Sequence, residues 1–381
     1  MVDDDVDVDG LDDWEPEQLT FHEKWWVRQR PFLEDAGYVF RPRYQPGWEA
    51  SWTAVDGFFR DYEDGQFQPR GMLLDAQRAS DGAYVYMKRM SPTQSKGYAD
   101  ELQIHQYLLS EPLKSDPRNR CVPILDVLHV PGDEGEVIMV TPMLRQFYSP
   151  RFLTFGEVIA FLAQTFEVIS LYPRTSAIEF MHDHRIVHGD CCKENIMMDP
   201  TQLYPHSFHP VVRDRRRDWK GNAKHYTRTR YPPKYYLIDF GLSHRYTPEE
   251  EPPRRLPVFG GDKSAPEHEA YHTPCDPFPT DVYYLGNLVR KMFMSQSYGF
   301  EFMEPLVADM VQTDPTKRPK MDEVVHRYGA IRDALSTRKL RSRIVWRDEW
   351  LIQRLFLNFV HLFRTAKYII TRKPAIPMPL S

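Results

Sequence analysis

His188-Gly189-Asp190-Cys191-Cys192-Lys193-Glu194-Asn195, followed by Leu237-Ile238-Asp239-Phe240-Gly241, decides the reading of this 381-residue chain. Asp190 and Asn195 stand five apart, so one short loop offers a carboxylate to an acceptor hydroxyl and an amide oxygen to a metal ion. Asp239 follows an apolar strand and supplies a second oxygen ligand for a hard divalent cation. Moving a phosphoryl group needs little covalent help from protein, so placing charge around Mg²⁺ and phosphates is most of the task. These residue types suit it.

Further motifs follow in a consistent order. Ala83-Tyr84-Val85-Tyr86-Met87-Lys88 reads as a strand ending in lysine, and Glu101-Leu102-Gln103-Ile104-His105-Gln106-Tyr107-Leu108 has the spacing of an amphipathic helix. Ser264-Ala265-Pro266-Glu267, Asp281 in Asp281-Val282-Tyr283-Tyr284-Leu285-Gly286, and Arg318 in Asp314-Pro315-Thr316-Lys317-Arg318-Pro319 complete the set. On these seven matches the chain resembles the protein kinase superfamily. The opening block Gly37-Tyr38-Val39-Phe40-Arg41-Pro42-Arg43-Tyr44, with Pro46, Trp48 and Trp52, resembles the leader of a kinase-like group abundant in basidiomycete fungi.

The resemblance implies an α+β, bilobal protein kinase-like fold, with a small mainly β N-lobe carrying one helix and a larger mainly α C-lobe. It implies ATP and Mg²⁺ as cofactors. Lys88 would neutralise the α- and β-phosphates with Glu101 as its ion-pair partner, and Asp190 would serve the acceptor hydroxyl. Asn195 and Asp239 would hold metal. Thr141 would line the back of the nucleotide pocket, and Met143 would sit where the strand Val137-Ile138-Met139-Val140-Thr141-Pro142-Met143-Leu144 enters the hinge. Glu267 with Arg318 would be a structural pair, and Asp281 a brace for the catalytic loop.

Composition is consistent with that reading without specifying it. An apolar content of 41% is enough for substantial cores, and a net charge of −5 argues against general nucleic-acid binding. Cys121, Cys191, Cys192 and Cys275 form no CxxC pair, which favours a reducing compartment. Met1-Val2-Asp3-Asp4-Asp5 is acidic where a signal peptide would be basic and then apolar. The expectation is a soluble intracellular protein, cytoplasmic or nuclear, with a protein substrate and no transmembrane segment.

Five regions are expected. Residues 1–20 form an acidic disordered tail, and 21–60 an aromatic-rich extension packing on the small lobe. The small lobe spans 61–144. The large lobe spans 145–335 and carries a basic insertion at about 200–233 around Val212-Arg213-Asp214-Arg215-Arg216-Arg217-Asp218-Trp219-Lys220. That insertion reads as a solvated surface loop, with a docking or anion site as the alternative. Residues 336–381 form an amphipathic helix and tail, too interrupted by charge to span a bilayer. Its apolar face is expected to pack on the large lobe, with membrane-surface or partner contact as alternatives.

Several departures from the kinase pattern bear on activity. No GxGxxG precedes Lys88, Pro142 removes a hinge donor, and Glu101 follows Lys88 by only 13 residues. Gly189 replaces the usual arginine, Cys192 the usual lysine, and Gly260-Gly261-Asp262-Lys263 the segment that normally holds a threonine. His182, His184, His188, Asp190, Cys191 and Cys192 lack the paired spacing of a zinc site. Three functions therefore stay open: a serine/threonine-type protein kinase, a pseudokinase scaffold, and a small-molecule phosphotransferase of the aminoglycoside or choline kinase kind.

Overall fold

The computed structural model describes residues 15–91, 98–133, 135–166 and 177–379. The acidic run before residue 15 lies outside them. The chain falls into two compact units, one of Met1–Tyr98, Val122–Met143 and Tyr204–His225, the other of Ala99–Cys121, Leu144–Leu203 and Tyr226–Ser381.

The first unit is built on a five-stranded antiparallel sheet. Strands β1 (Tyr38–Val39), β2 (Leu73–Arg78), β3 (Tyr84–Met90), β4 (Asp126–His129) and β5 (Val137–Pro142) stand in the order β1-β2-β3-β5-β4. Because side chains alternate along a strand, Leu74, Ala76, Val85, Met87, Ile138 and Val140 share one face. That face packs against Trp25, Trp26 and Leu33 of helix α1 (Phe21–Asp35). Thr20 starts α1 with a reciprocal cap, accepting from Glu23 N–H while the Glu23 carboxylate accepts from Thr20 N–H. Glu23 also takes the fully buried Arg43 guanidinium at 2.7 Å, which ties the helix to the segment after β1.

The opposite face of the sheet is polar and is covered by the chain's own basic stretch. Asp75, Tyr86 and Thr141 lie in register across β2, β3 and β5. Asp75 is wholly buried, held at 3.1 Å by Arg41 and at 2.6 Å by Arg217. Burial by itself raises a carboxyl pKa, but the two guanidinium charges outweigh it and hold Asp75 below the ordinary carboxylate range. The Arg217 guanidinium also lies 4.6 Å from the Tyr84 ring centre, and the Tyr86 hydroxyl donates to the Pro210 carbonyl at 3.2 Å. His209 reaches Glu63 at 3.1 Å, and the Trp219 indole N–H donates to Asp61 O at 2.7 Å. The expected solvated loop is therefore a docked segment: a buried carboxylate needs cations, and the basic stretch provides one.

The second unit is mainly helical. It contains α2 (Tyr98–Leu108) from its second residue on, α3 (Phe155–Phe166), α4 (Ala177–Asp183), α5 (Phe278–Val289), α6 (Glu304–Met310), α7 (Met321–Ala334), α8 (Thr337–Arg341) and α9 (Leu351–Ile370). Every residue of α3 is buried, the polar Glu157, Gln164 and Thr165 included, and Glu157 and Gln164 are satisfied by Thr229 and by Tyr235 N–H. Phe161 of α3 stacks on Phe147 at 4.4 Å and meets Phe152 and Phe293. Two small sheets carry the loops of interest: β6 (Arg145–Gln146) pairs with β8 (Ile196–Met198) and β8 with β9 (Tyr235–Leu237), while β7 (Ile186–Val187) pairs with β10 (His244–Arg245).

Helix α9 forms, yet none of its residues is buried. A mixed side meets the rest of the unit, with Leu357 and Val360 half-buried beside Arg354, Arg364 and Thr365: the Tyr368 hydroxyl pairs with Thr227, and Asn358 Oδ1 accepts from Arg343 at 2.8 Å. Leu355, Phe356, Phe359, Leu362 and Phe363 are all exposed. Of the apolar face expected to pack inward, Val360 does so and these five side chains turn outward. Among the described residues no helix is long and apolar enough to cross a membrane.

Candidate active site

The β8–β9 hairpin brings Asn195 and Asp239 to one end. Ile196 faces Leu237, and Ile238 N–H donates to Asn195 O at 3.0 Å, so the residue before β8 and the segment after β9 emerge together. Asp239 adopts a left-handed conformation, φ +61°, at the turn into Phe240-Gly241. Asn195 Nδ2 donates to Asp190 Oδ2 at 2.8 Å and to Asp190 O at 3.1 Å. Both amide donors are thereby directed at Asp190, which turns the Asn195 carbonyl oxygen away from it.

Asp190 is gripped from its other side by backbone. Gly261 N–H donates to Asp190 Oδ1 at 2.9 Å. A Cβ on Gly260 would lie 2.4 Å from the Asp190 carboxyl carbon, so only glycine allows this approach. Burial raises the Asp190 pKa, with the nearby Asp239 charge adding to it and the Gly261 N–H opposing. Cys192, in the position expected for lysine, is a buried thiol whose pKa is pushed far up by burial and by the Asp190 charge, so it brings no charge to the site. Lys193 lies 3.3 Å from Glu194 and 5.9 Å from the Tyr148 ring centre.

The loop holding Asp190 is braced from below. Asp281, in the first turn of α5, accepts from His188 N–H at 2.8 Å and Gly189 N–H at 2.9 Å, with His182 Nε2 at 3.1 Å. Burial works against its ionisation, but the His182 hydrogen bond and the nearby imidazoles hold its pKa below the ordinary range. Gly189 has φ +79°, and a Cβ there would meet Leu242 O at 2.5 Å. The arginine missing from this position is excluded by the backbone path itself.

A column of rings joins α2 to this loop. Phe240 is fully buried, with ring centres 5.0 Å from His105 and 5.3 Å from His188. Glu101, four residues before His105, is buried, and its Oε2 is 3.4 Å from where a Gly241 Cβ would stand. Glu267 and Arg318 form a buried bidentate pair at 2.6 and 2.8 Å, with Thr280 donating to Glu267 at 2.8 Å.

The second unit therefore gathers Glu101, Asp190, Asn195 and Asp239 around two loops. Lys88, Thr141 and Met143 belong to the first unit. Lys88 pairs in register with Met139 and Leu73, and alternation sets it on the same face of β3 as Tyr84 and Tyr86. Thr141 is opposite Tyr86, and Met143 N–H donates to Tyr84 O at 3.0 Å. Sequence reasoning did not identify His105 or the Gly261 amide. The first was legible as Glu101 plus one helical turn, whereas a backbone donor leaves no residue signature.

No family model matches the chain, and no curated protein matches it. Among solved structures it is similar to the crystal structure of the Rad53 kinase domain and SCD2, at 15% identity over 71% of this chain and 89% of that chain, with a TM-score of 0.38.

Proposed function

We propose that this protein is a kinase-like phosphotransferase that moves the γ-phosphoryl group of ATP to a hydroxyl of a protein substrate. The observation that carries the reading is the fixing of Asp190 between Asn195 Nδ2 at 2.8 Å and Gly261 N–H at 2.9 Å, beside Asp239. An acceptor hydroxyl needs a carboxylate with a defined direction, and two donors give it one. Mg²⁺ fits the donor set, since the Asp239 carboxylate and the Asn195 amide oxygen are hard oxygen ligands. Bound there, it would neutralise phosphate charge. Lys88 is assigned to the α- and β-phosphates and Glu101 to orienting it. The Glu267–Arg318 pair and the segment before it favour a protein acceptor over a small molecule. Transfer of label from γ-labelled ATP to protein, lost in Asp190→Ala, tests the reading; equal labelling by parent and variant rejects it.

A second reading, a scaffold that binds no nucleotide, is favoured by the polar face of the sheet. Aligned on Lys88, the alanine of the V-A-I-K strand becomes Tyr86, whose hydroxyl is bonded to Pro210 O. The docked stretch from His209 to Trp219 covers the face on which an adenine would lie, and Arg217 fills it with a guanidinium paired to Asp75. Pro142 has no N–H, and that of Met143 is already bonded to Tyr84 O. A thermal-shift titration with ATP and Mg²⁺ separates the readings: stabilisation supports the enzyme, and none supports the scaffold.

A further inference from the structure

Helix α9 presents an apolar stripe outward along its whole length. Ile352, Leu355, Phe356, Phe359, Leu362 and Phe363 recur at three- and four-residue spacing, and all are exposed, Ile352 at 83%. Twenty helical residues span about 30 Å, so the stripe is far larger than the scattered apolar side chains of an ordinary surface. The orientation is fixed rather than incidental. Tyr368 pairs with Thr227, Asn358 with Arg343, and Arg354 lies over Tyr298 at 5.7 Å, all from the other side of the helix.

Charge selects the occupant. From Trp350 onward the sequence contains no Asp or Glu but five cations, Arg354, Arg364, Lys367, Arg372 and Lys373, in a chain of net charge −5. Lys367 and Arg372 are exposed, and Trp350, 80% exposed, stands at the helix start. A second copy pressed stripe to stripe would bring the exposed Lys367 and Arg372 of each chain near the contact with no acid on either helix to offset them. An anionic lipid surface supplies that counter-charge, takes apolar side chains into the acyl boundary and accommodates tryptophan at the headgroup level. We propose that α9 is an in-plane membrane anchor that lays the protein on a negatively charged bilayer. The proposal stands apart from the phosphotransfer reading, since none of its residues takes part in that site.

The test is sedimentation of the full chain with vesicles of phosphatidylcholine alone and with about 30% phosphatidylserine added. The parent is expected to pellet with the anionic vesicles and to be released by high salt. The double variant Phe356→Asp/Phe363→Asp should bind at least ~10-fold more weakly, and Lys367→Glu/Arg372→Glu should lose the preference for phosphatidylserine. All four changed side chains point outward or stand exposed, so unchanged circular dichroism is expected of both variants. A parent that stays in the supernatant with both vesicle types overturns the proposal, as does an aspartate variant that pellets like the parent. Elution as a dimer that Phe359→Asp splits makes a second copy the occupant and overturns it. Binding that appears only after removal of residues 1–14 identifies that acidic segment as the cover and also overturns it.

Discussion

The backbone N–H of Gly261 donates to Oδ1 of Asp190 at 2.9 Å, so the loop ahead of Glu267 closes directly onto the carboxylate assigned to the acceptor. In the kinase pattern a threonine is expected in this segment; here the polypeptide itself supplies the donor. The exchange has a steric condition, because Gly260 passes 2.4 Å, counted from an added Cβ, from the Asp190 carboxyl. Gly260→Ala is expected to lower kcat at least ~10-fold while moving the melting temperature little, since the loop gives way rather than the core. Turnover and melting measured on the same preparation check this.

Acidity gives a second expectation. Burial and the Asp239 charge raise the Asp190 pKa, so the active, ionised form should be lost on the acid side at a pH above the ordinary aspartate value of 3.8. The sign for stability is the reverse of the usual carboxylate case: ionising a group with a raised folded pKa costs stability as pH rises. A kcat–pH profile whose acid limb lies at or below 3.8 would count against the assigned environment.

Asp281 behaves oppositely. Its folded pKa is depressed, so its contribution is present above its unfolded value near 3.8 and is lost as pH falls through the lower folded value. Asp281→Asn should therefore lower stability at neutral pH and flatten the acid limb of the stability curve below about pH 4. Denaturant midpoints taken from pH 7 down to pH 3 read this directly. Activity should fall as well, because the two amides at His188 and Gly189 lose an anionic acceptor.

Arg318→Met leaves the Glu267 carboxylate buried without its bidentate partner. Stripping one member from a buried pair costs about 3–5 kcal/mol, so a large drop in the urea midpoint is expected. The double variant Arg318→Met/Glu267→Leu should recover much of the loss, because the uncompensated charge goes too.

Arg217→Ala tests the covered sheet face. Asp75 keeps Arg41 at 3.1 Å but loses the 2.6 Å contact, so a lower melting temperature is expected. If the stretch from His209 to Trp219 excludes adenine, the same variant should show a larger stabilisation by ATP and Mg²⁺ than the parent. An unchanged or smaller nucleotide response would leave the docked stretch with a purely structural role.

What the sequence determined was chemistry at short range. The five-residue step from Asp190 to Asn195 and the apolar strand before Asp239 were legible because loop length and strand periodicity fix which side chains a short segment presents, whereas Lys88, Glu101, Glu267 and Arg318 were legible only through the resemblance to protein kinases. The strand read over residues 83–88 forms as β3, Tyr84–Met90. Tertiary structure alone decided three things: that the basic stretch is drawn to a buried carboxylate on a strand more than 100 positions earlier, that a glycine amide reaches Asp190, and that α9 turns most of its apolar side chains away from the body. Each depends on desolvation and on which partners the fold has already used, and neither quantity can be read from residues taken in order.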